Sequence, residues 1–392
     1  MLMRLPASLS SFLSRGLGNS SVSIVFLSPF PPLRGGIARF SAHLLEALRR
    51  DGCRVEVVGF RALWPRFLLH GRLSAASPLG EGPLVLYNPL TWFAVAGELK
   101  KNPPDILLAA YWGGFLAPLL FVLRRLSGVR TVALLHNMSS HESFFFEPVM
   151  RRLLARTLEG AITLSDTVSR EAAAAMPSVP LLPLTHPLYP PEVALPPRES
   201  ARHELGLCLE DRVLLFFGFV RHYKGLDLLL QALGELQSSF PSVRLVVAGE
   251  FYEHPDGYRL LAEGLGISDR VIFLPGFVSA GQTASLFAAA DCCVLPYRSA
   301  TQSGVAQLAK GYGVPLVVTP PGSLPDAVSS RHDGVVAAEC TAHAIAEAVT
   351  ELFMREQEGV VSVSQQGVAD EGWREFGSQA GAFLRRLAGG EE

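Results

Sequence analysis

The chain has 392 residues, which is too long for one ordinary hydrophobic core and suits two domains. Hydrophobic residues make up 49% of it and charged residues 18%, which excludes a disordered protein. The net charge of −2 provides no overall attraction to nucleic acid or to an anionic membrane, so any phosphate recognition must be local.

Two segments could be mistaken for membrane or export signals, and neither has the pattern of one. Residues 1–20 hold only broken apolar pieces, which predicts a loose tail rather than a cleaved signal peptide. Ile106–Leu123 carries no charge over 18 residues, the length of a membrane span. Because Gly113, Gly114 and Pro118 interrupt it, we predict a buried strand followed by a helix. The five scattered cysteines lack metal-ligand spacing and indicate a reducing compartment, so a cytoplasmic protein is expected.

The first predicted strand and helix are joined by a double glycine. The strand is Val22–Leu27, the glycines are Gly35 and Gly36, and the helix is Ile37–Arg50. Glycines let a ligand approach the backbone closely, and the start of a helix favours negative charge. This order of strand, glycine turn and helix is typical of a Rossmann-like half, although a flexible loop would show the same residues.

Residues 61–72 follow the second predicted strand, Arg54–Phe60, and mix cations with Trp64 and other apolar side chains. They suit either a surface loop or a segment that contacts an acceptor or a membrane surface. Pro65 argues against a regular amphipathic helix here.

The predicted strand Thr131–Leu135 ends in His136. Ligands of open α/β sheets lie beyond the carboxyl ends of the strands, so His136 is expected to face a ligand. A lone histidine is nevertheless more often structural than catalytic. His141 and Glu142 follow in the same loop and are further candidates for a ligand contact.

A proline-rich segment, residues 177–197, predicts a linker between two domains, placed at 181–197. The first domain is predicted at 21–180 and the second at 198–370.

The most informative stretch begins with the apolar run Val213–Phe217 and Gly218, which predicts a buried parallel strand and a sharp turn. Arg221 and Lys224 follow, just before Gly225 and a leucine-rich helix. Backbone N–H groups, the helix dipole and two cations together make an anion site. An ordinary turn with two solvated cations is the alternative.

The strands predicted after this stretch also end in polar or glycine-containing loops. Val243–Ala248 leads to Glu250, and Arg270–Phe273 leads to Gly276 and Val278. After the strand Asp291–Leu295, residues at an expected helix start suit phosphate or sugar hydroxyls. These residues are Thr301, Gln302, Ser303 and Gly304, and Gln307 follows as a further polar candidate.

The loop containing Gly218, Arg221, Lys224 and Gly225 resembles the Gly-x-x-Arg-x-x-Lys-Gly signature of the family-four retaining glycosyltransferases (glycosyl transferases group 1). The resemblance spans about residues 20 to 388. It implies a GT-B fold, with two Rossmann-like, doubly wound parallel-sheet domains facing across a cleft. It also implies transfer of a sugar from a UDP- or GDP-sugar to an acceptor hydroxyl with retention, in glycan, glycolipid or polysaccharide synthesis.

The resemblance further implies roles for individual residues. Arg221 and Lys224 would hold the pyrophosphate, and His136 would lie beside the donor sugar and acceptor. Either His141 or Glu142 would orient the acceptor, and Gln307 would bond the ribose. The helix within 371–392 would cross back onto the first domain. The donor-binding positions are Gly35, Gly36, Gly218, Glu250, Gly276, Val278, Thr301, Gln302, Ser303, Gly304 and Gln307. No Asp-x-Asp motif occurs, so neither a metal nor another cofactor is expected.

The chain departs from the family at two glutamates that normally lie eight positions apart. Their places fall on Ala300 and Leu308, or on Ser299 and Gln307 after a slip of one residue. A related subgroup has the Thr-Gln-Ser-Gly form found here, which favours substitution over decay. A non-catalytic nucleotide-sugar-binding homologue and another GT-B enzyme, such as a nucleotide-sugar epimerase, remain alternatives. The expected partners are a nucleotide-sugar and a glycan or lipid-linked acceptor. Nucleic acid is not an expected partner, and peripheral contact with the inner membrane face is an alternative left open.

Overall fold

The structure, a computed structural model, describes residues 21–63, 79–138, 146–252, 254–301, 303–359 and 368–389. These residues form two compact units. The first unit contains 21–63, 79–138, 146–186 and 372–389, and the second contains 187–252, 254–301, 303–359 and 368–371.

The first unit is built on a seven-stranded parallel sheet with the order β3-β2-β1-β4-β5-β6-β7. Its strands are β1 Ser23–Ser28, β2 Arg54–Ala62, β3 Leu84–Val85, β4 Ile106–Tyr111, β5 Arg130–Leu135, β6 Gly160–Thr163 and β7 Leu181–Pro183. Its helices up to this point of the chain are α1 Gly36–Arg50, α2 Pro89–Lys101, α3 Ala117–Ser127, α4 Glu147–Ala155 and α5 Asp166–Ala175.

Two helical layers bury the sheet of the first unit. Strands β1 and β4 are buried along their whole length, as expected for continuous apolar runs in a parallel sheet. Helices α2 to α5 pack on the face that Val25 and Leu27 share. Because alternate residues of a strand face opposite sides, Ser28 lies on the other face, where its hydroxyl bonds that of Ser41 in α1 at 2.6 Å. The strand order reverses between β1 and β4, which marks the switch point of this sheet.

Strand β7 lies within the proline-rich segment predicted to be a linker. It pairs with β6 through Ala161, Ile162 and Thr163, so the sheet continues past residue 180. An edge strand tolerates proline because one side of its backbone needs no ladder partner.

The second unit is a six-stranded parallel sheet with the order β10-β9-β8-β11-β12-β13. Its strands are β8 Arg212–Phe217, β9 Val243–Gly249, β10 Val271–Pro275, β11 Cys292–Leu295, β12 Leu316–Val318 and β13 Gly334–Val336. Its helices are α6 Arg198–Glu204, α7 Leu226–Leu236, α8 Asp256–Gly264, α9 Ala280–Ala289, α10 Gly304–Gly311 and α11 Ala342–Gln357. Here the strand order reverses between β8 and β11.

The last helix, α12 Val368–Ala388, packs within the first unit from residue 372 onward. The Arg385 guanidinium lies 2.9 Å from the Asp51 carboxylate, and the Arg130 guanidinium donates to the carbonyl of Ala388 at 2.5 Å. These contacts fasten the end of the helix beside α1 and β5.

The predicted fold class, two doubly wound parallel-sheet domains, is confirmed by the two sheets. The predicted strand and helix within Ile106–Leu123 are β4 and α3, which begins at Ala117. Among the described residues, no helix is long and apolar enough to cross a membrane.

Candidate functional site

The carboxyl end of β8 turns sharply at Gly218, where φ is +99°. The Gly218 N–H donates to the carbonyl of Ala248 at 2.9 Å, and a Cβ on Gly249 would lie 1.9 Å from the carbonyl oxygen of Gly218. The backbones that follow β8 and β9 therefore run closer together than any side chain at Gly249 would allow.

A short 3-10 turn, His222–Lys224, then leads into α7. Its Lys224 N–H donates to the carbonyl of Arg221 at 2.9 Å. Gly225 follows with φ of +68°, and a Cβ there would lie 2.0 Å from the carbonyl oxygen of Pro296, just after β11. The turn thus packs against the residues that follow β11, at the switch point where ligands of such sheets bind.

Lys224 is the most unusual side chain at this sheet edge because it is a buried cation. Only 8% of it is exposed, and its ammonium lies 5.0 Å from the centre of the Tyr297 ring. Burial, aided by the charge of Arg221, lowers the pKa of Lys224 to about 8. Within the described part of the chain, Lys224 makes no ion pair with a carboxylate. A desolvated cation of this kind attracts an anionic ligand.

Arg221 is oriented by an aromatic neighbour. Its guanidinium lies 3.8 Å from the centre of the Tyr252 ring, a close cation–π contact. The Tyr252 N–H donates to the carbonyl of Val220 at 3.0 Å, which ties the two segments together. Tyr252 was missed by the sequence analysis, since it lies about thirty residues from Arg221 and follows another strand.

The start of α10 lies beside the same turn. A Cβ on Gly218 would be 3.4 Å from the Val305 side chain and 3.6 Å from the Lys224 ammonium nitrogen, so both lie close to Gly218. Ser303 caps the helix by accepting from the N–H of Ala306 at 3.4 Å. The positive end of this helix dipole adds to the field of the two cations.

The remaining candidate residues of the second unit lie at or near the same sheet edge. Glu250 is buried after β9, and its carbonyl accepts from the Val220 N–H at 2.9 Å. Gly276 follows β10 with open space around its Cβ position. Val278 is half-buried just before α9. Thr301 is half-buried three residues before α10, and Gly304 and Gln307 are half-buried in its first turn. Gln302 lies outside the described residues.

In the first unit, Gly35 and Gly36 join β1 to α1. Gly35 has φ of +126°, and its carbonyl accepts from the Arg39 N–H at 3.2 Å in the first turn of α1. A Cβ on Gly36 would meet nothing within 4 Å, so the helix begins beside open space.

His136 directly follows β5, and its N–H donates to the carbonyl of Tyr111, the last residue of β4, at 2.8 Å. Its ring meets Phe40 edge-on, with centroids 5.2 Å apart, and only 4% of the residue is exposed. Burial, with a smaller effect of His186, lowers the pKa of His136 to about 3. The ring is therefore a neutral hydrogen-bonding group at physiological pH. The acceptor candidates His141 and Glu142 lie outside the described residues, as do residues 64–78.

Phe40 is a further residue that the sequence analysis missed. Its ring also contacts His186 and Trp373, with centroids 4.8 Å and 5.0 Å away. It therefore lies at the centre of an aromatic cluster that holds the His136 ring. Its helical spacing in α1 predicts only a core position.

No group of three or more His, Cys, Asp or Glu side chains in the described ranges is arranged to hold a metal ion.

Comparison with known families assigns both halves of the chain. Residues 197–364 match the model for glycosyl transferases group 1, and residues 34–180 match the model for glycosyltransferase family 4. The chain belongs to the group 1 glycosyltransferases of GT-B type. The family resemblance drawn from the Arg221–Lys224 loop is thereby confirmed.

Relatives of this group 1 glycosyltransferase include proteins named D-inositol 3-phosphate glycosyltransferase. One from Mycolicibacterium smegmatis is 34% identical over 183 residues, which are 45% of this chain and 40% of the relative. One from Mycobacterium bovis is 31% identical over 257 residues, which are 62% of this chain and 52% of the relative. The matched region thus spans about half or less of these curated relatives.

Solved structures agree on the fold. Sucrose-phosphate synthase from Thermosynechococcus elongatus has a TM-score of 0.67 at 18% identity, covering 94% of this chain and 97% of that one. The catalytic domain of starch synthase IV from Arabidopsis thaliana, bound to ADP and acarbose, has a TM-score of 0.68 at 14% identity, covering 94% and 100%. HepE from Anabaena in complex with UDP-glucose has a TM-score of 0.65 at 17% identity, covering 94% and 98%.

Proposed function

We propose that the protein is a retaining glycosyltransferase that moves a sugar from a UDP- or GDP-sugar to an acceptor hydroxyl in glycan, glycolipid or polysaccharide synthesis. The observation that carries the proposal is the buried Lys224 at the switch point of the second unit, beside Arg221 and the first turn of α10. Such a site suits the diphosphate of a nucleotide-sugar better than a neutral ligand.

The chemical demand of the reaction is the charge that grows on the leaving diphosphate as the glycosidic bond breaks. Lys224 and Arg221 would stabilise that charge, and the dipole of α10 would add to their field. These groups are already oriented by Tyr297, Tyr252 and the glycine turns, so little reorganisation is needed during the reaction.

His136 would contribute a neutral imidazole to the donor sugar or the acceptor hydroxyl. With a pKa of about 3 it is too weak a base to remove a proton from an alcohol at neutral pH. Its role is therefore orientation by a hydrogen bond. Gly35 and Gly36 would leave room for the ligand at the start of α1, and His141 or Glu142 would orient the acceptor.

The neutral residues around α10 would replace the paired glutamates of other family members. Thr301, Gln302, Ser303 and the Gly304 amide would contact phosphate or sugar oxygens, and the Gln307 amide would bond the ribose. Glu250, Gly276 and Val278 would line the place of the nucleoside, near Gly218.

The names of the relatives support the choice of partners. HepE binds UDP-glucose, which makes a nucleotide-sugar donor reasonable for a chain of the same fold. Relatives named D-inositol 3-phosphate glycosyltransferase make an inositol phosphate one acceptor to test, beside glycan and lipid-linked acceptors. We further propose that this protein is cytoplasmic and contacts the inner membrane face peripherally.

The proposal is tested first by thermal shift with uridine, guanosine and adenosine diphosphates, for the wild type and Lys224→Ala. A ligand at about 100 times its dissociation constant adds about 2.7 kcal/mol to the free energy of unfolding. In domains of this size we expect an increase of roughly 5–10 °C in Tm with one nucleotide. The increase should be lost in Lys224→Ala, and no shift with any of the three would contradict the proposal.

Turnover is tested next with nucleotide-sugars of the base that binds. We expect a product only when an acceptor is present, and proton NMR of that product should show the anomeric configuration of the donor. Inversion at that carbon would exclude the retaining mechanism. Conversion of the donor sugar without an acceptor would instead identify an epimerase.

A second function, nucleotide-sugar binding without transfer, is favoured by one observation. No carboxylate occurs in residues 296–324, where the family carries its glutamates. In that case the nucleotide would raise Tm, but neither transfer nor hydrolysis would be detected with any acceptor.

A further inference from the structure

Arg298 fastens the turn that carries Lys224. The residue lies three positions after β11, and its N–H donates to the carbonyl of Tyr223 at 2.7 Å. Its Nη1 donates to the carbonyl of His222 at 3.0 Å. One side chain and one backbone group therefore hold two successive carbonyls of the 3-10 turn.

The same guanidinium also grips the first turn of α7. Its Nη1 and Nη2 donate to the two carboxylate oxygens of Asp227, at 2.8 Å and 2.6 Å. This parallel, two-bond geometry is the strongest form of an ion pair between side chains, and a lysine could not reproduce it. Arg298 thus joins the residues after β11 to both the 222–224 turn and α7.

The charge of Arg298 is already matched inside the protein. Burial acts to raise the pKa of Asp227, but the hydrogen bonds and charge of Arg298 outweigh it and leave that pKa below its usual value. Asp227 is therefore ionised at neutral pH and neutralises Arg298. This distinguishes Arg298 from Lys224, whose charge has no such carboxylate in the described part of the chain.

We infer that Arg298 is a positioning residue for the diphosphate site. By bonding the 222–224 turn and α7 at the switch point between β8 and β11, Arg298 fixes the position of the Lys224 side chain. The inference rests on the proposed function. Arg298 itself makes no contact with the nucleotide, and its effect passes through the turn and Lys224.

A purely stabilising role would make a different prediction. Loss of an ion pair that is about 30% exposed on each side lowers the melting temperature but does not single out one part of a ligand. Loss of a positioning contact weakens the bonds to the phosphates and leaves those to the nucleoside unchanged.

The test uses calorimetric titration of the whole chain with the best-binding nucleoside diphosphate and with its parent nucleoside. The variants are Arg298→Ala, Arg298→Lys and Asp227→Asn, the last of which keeps the shape of the pair. We expect each variant to bind the diphosphate about tenfold more weakly and the nucleoside unchanged. His343→Ala is the matched control, because His343 pairs with Glu235 at the opposite end of α7, at 2.9 Å.

A double variant separates positioning from direct contact. If Arg298 acts through Lys224, then adding Arg298→Ala to Lys224→Ala should cause no further loss of diphosphate affinity. Additive losses, an equal loss for the nucleoside, or unchanged affinity in all three variants would overturn the inference. If the wild type binds no nucleoside diphosphate, the proposed function fails and the inference fails with it. If the wild type binds and only Lys224→Ala weakens binding, the inference alone fails.

Discussion

The two units repeat one local pattern, a buried strand, a glycine turn and a helix, but the glycines serve different physical needs. At the start of α1, a Cβ on Gly36 would meet nothing within 4 Å. At the start of α7, a Cβ on Gly225 would lie 2.0 Å from the carbonyl oxygen of Pro296. Gly36 therefore leaves open space at the start of its helix, whereas Gly225 is required because the packed backbone leaves no room for a side chain.

The titratable groups at the two sheet edges differ in the same way. In the second unit, Lys224 is a buried cation with a pKa of about 8. In the first unit, His136 is buried against Phe40 with a pKa of about 3, so it is neutral. One edge is therefore suited to an anion and the other to an uncharged hydroxyl, although the local sequence patterns are similar.

The glycine comparison is tested by Gly225→Ala beside Gly36→Ala. The Gly225 variant must displace the backbone at Pro296 and adopt a positive φ, so we expect it to lose about 2–4 kcal/mol of unfolding free energy. Gly36 is the first residue of α1, where alanine is the better helix former, so its variant should keep or slightly exceed wild-type stability. Urea unfolding of both variants measures the difference.

Activity sharpens the same test. If the space at Gly36 is used by a ligand, Gly36→Ala should be stable yet transfer sugar more slowly than the wild type. A Gly36→Ala protein with full turnover would show that the open space has no part in the reaction. A stable Gly225→Ala protein would remove the packing argument.

Much of the fold was predictable because its signals are local. Apolar runs ended by glycine or proline predicted the longer strands, such as β4 and β8, to within about a residue. Ser165 caps α5 by accepting from the Val168 N–H, a local signal of the same kind. The short strands β3, β12 and β13 have two or three residues each, too few to show a period.

The contacts that organise the candidate site could not be predicted in this way. The loop sequence indicates that Arg221 and Lys224 are cations beside a helix start, but not that Lys224 is buried. Tyr297, which follows β11, lies against the Lys224 ammonium, and Tyr252, which follows β9, lies against the Arg221 guanidinium. The charge of Arg298 is likewise neutralised by Asp227, which lies seventy-one positions earlier and could not be identified as its partner from the sequence.

The contrast in charge predicts that the first unit is sensitive to acid through His136. The folded protein holds this pKa far below the unfolded value of 6.5, so the unfolded chain takes up the proton first as pH falls. Between pH 6.5 and 5 we expect a loss of about 2 kcal/mol from this group. The described tryptophans, Trp92, Trp112 and Trp373, all lie in the first unit, so their fluorescence follows its unfolding in urea.

His136→Gln provides the control for acid sensitivity, because it removes the titration while keeping a polar side chain. The variant should lose less stability than the wild type between the same two pH values, whatever its stability at pH 7. Equal losses in both proteins would mean that other groups cause the acid sensitivity.

Lys224 predicts the opposite pH effect, on binding in the alkaline range. Only the protonated side chain attracts a diphosphate, and its pKa of about 8 means that most of the free protein has lost this charge at pH 9. We therefore expect the Kd for the diphosphate to rise about tenfold between pH 7 and 9. The diphosphate is fully ionised above pH 8, so its own titration does not weaken binding there.

The control for this prediction is Lys224→Ala, which should bind the diphosphate weakly and with no dependence on pH between 7 and 9. A pH dependence that survives in this variant would assign the titration to another group. An unchanged Kd in the wild type would mean that Lys224 stays protonated up to pH 9 although it is buried, so that burial does not lower its pKa as described.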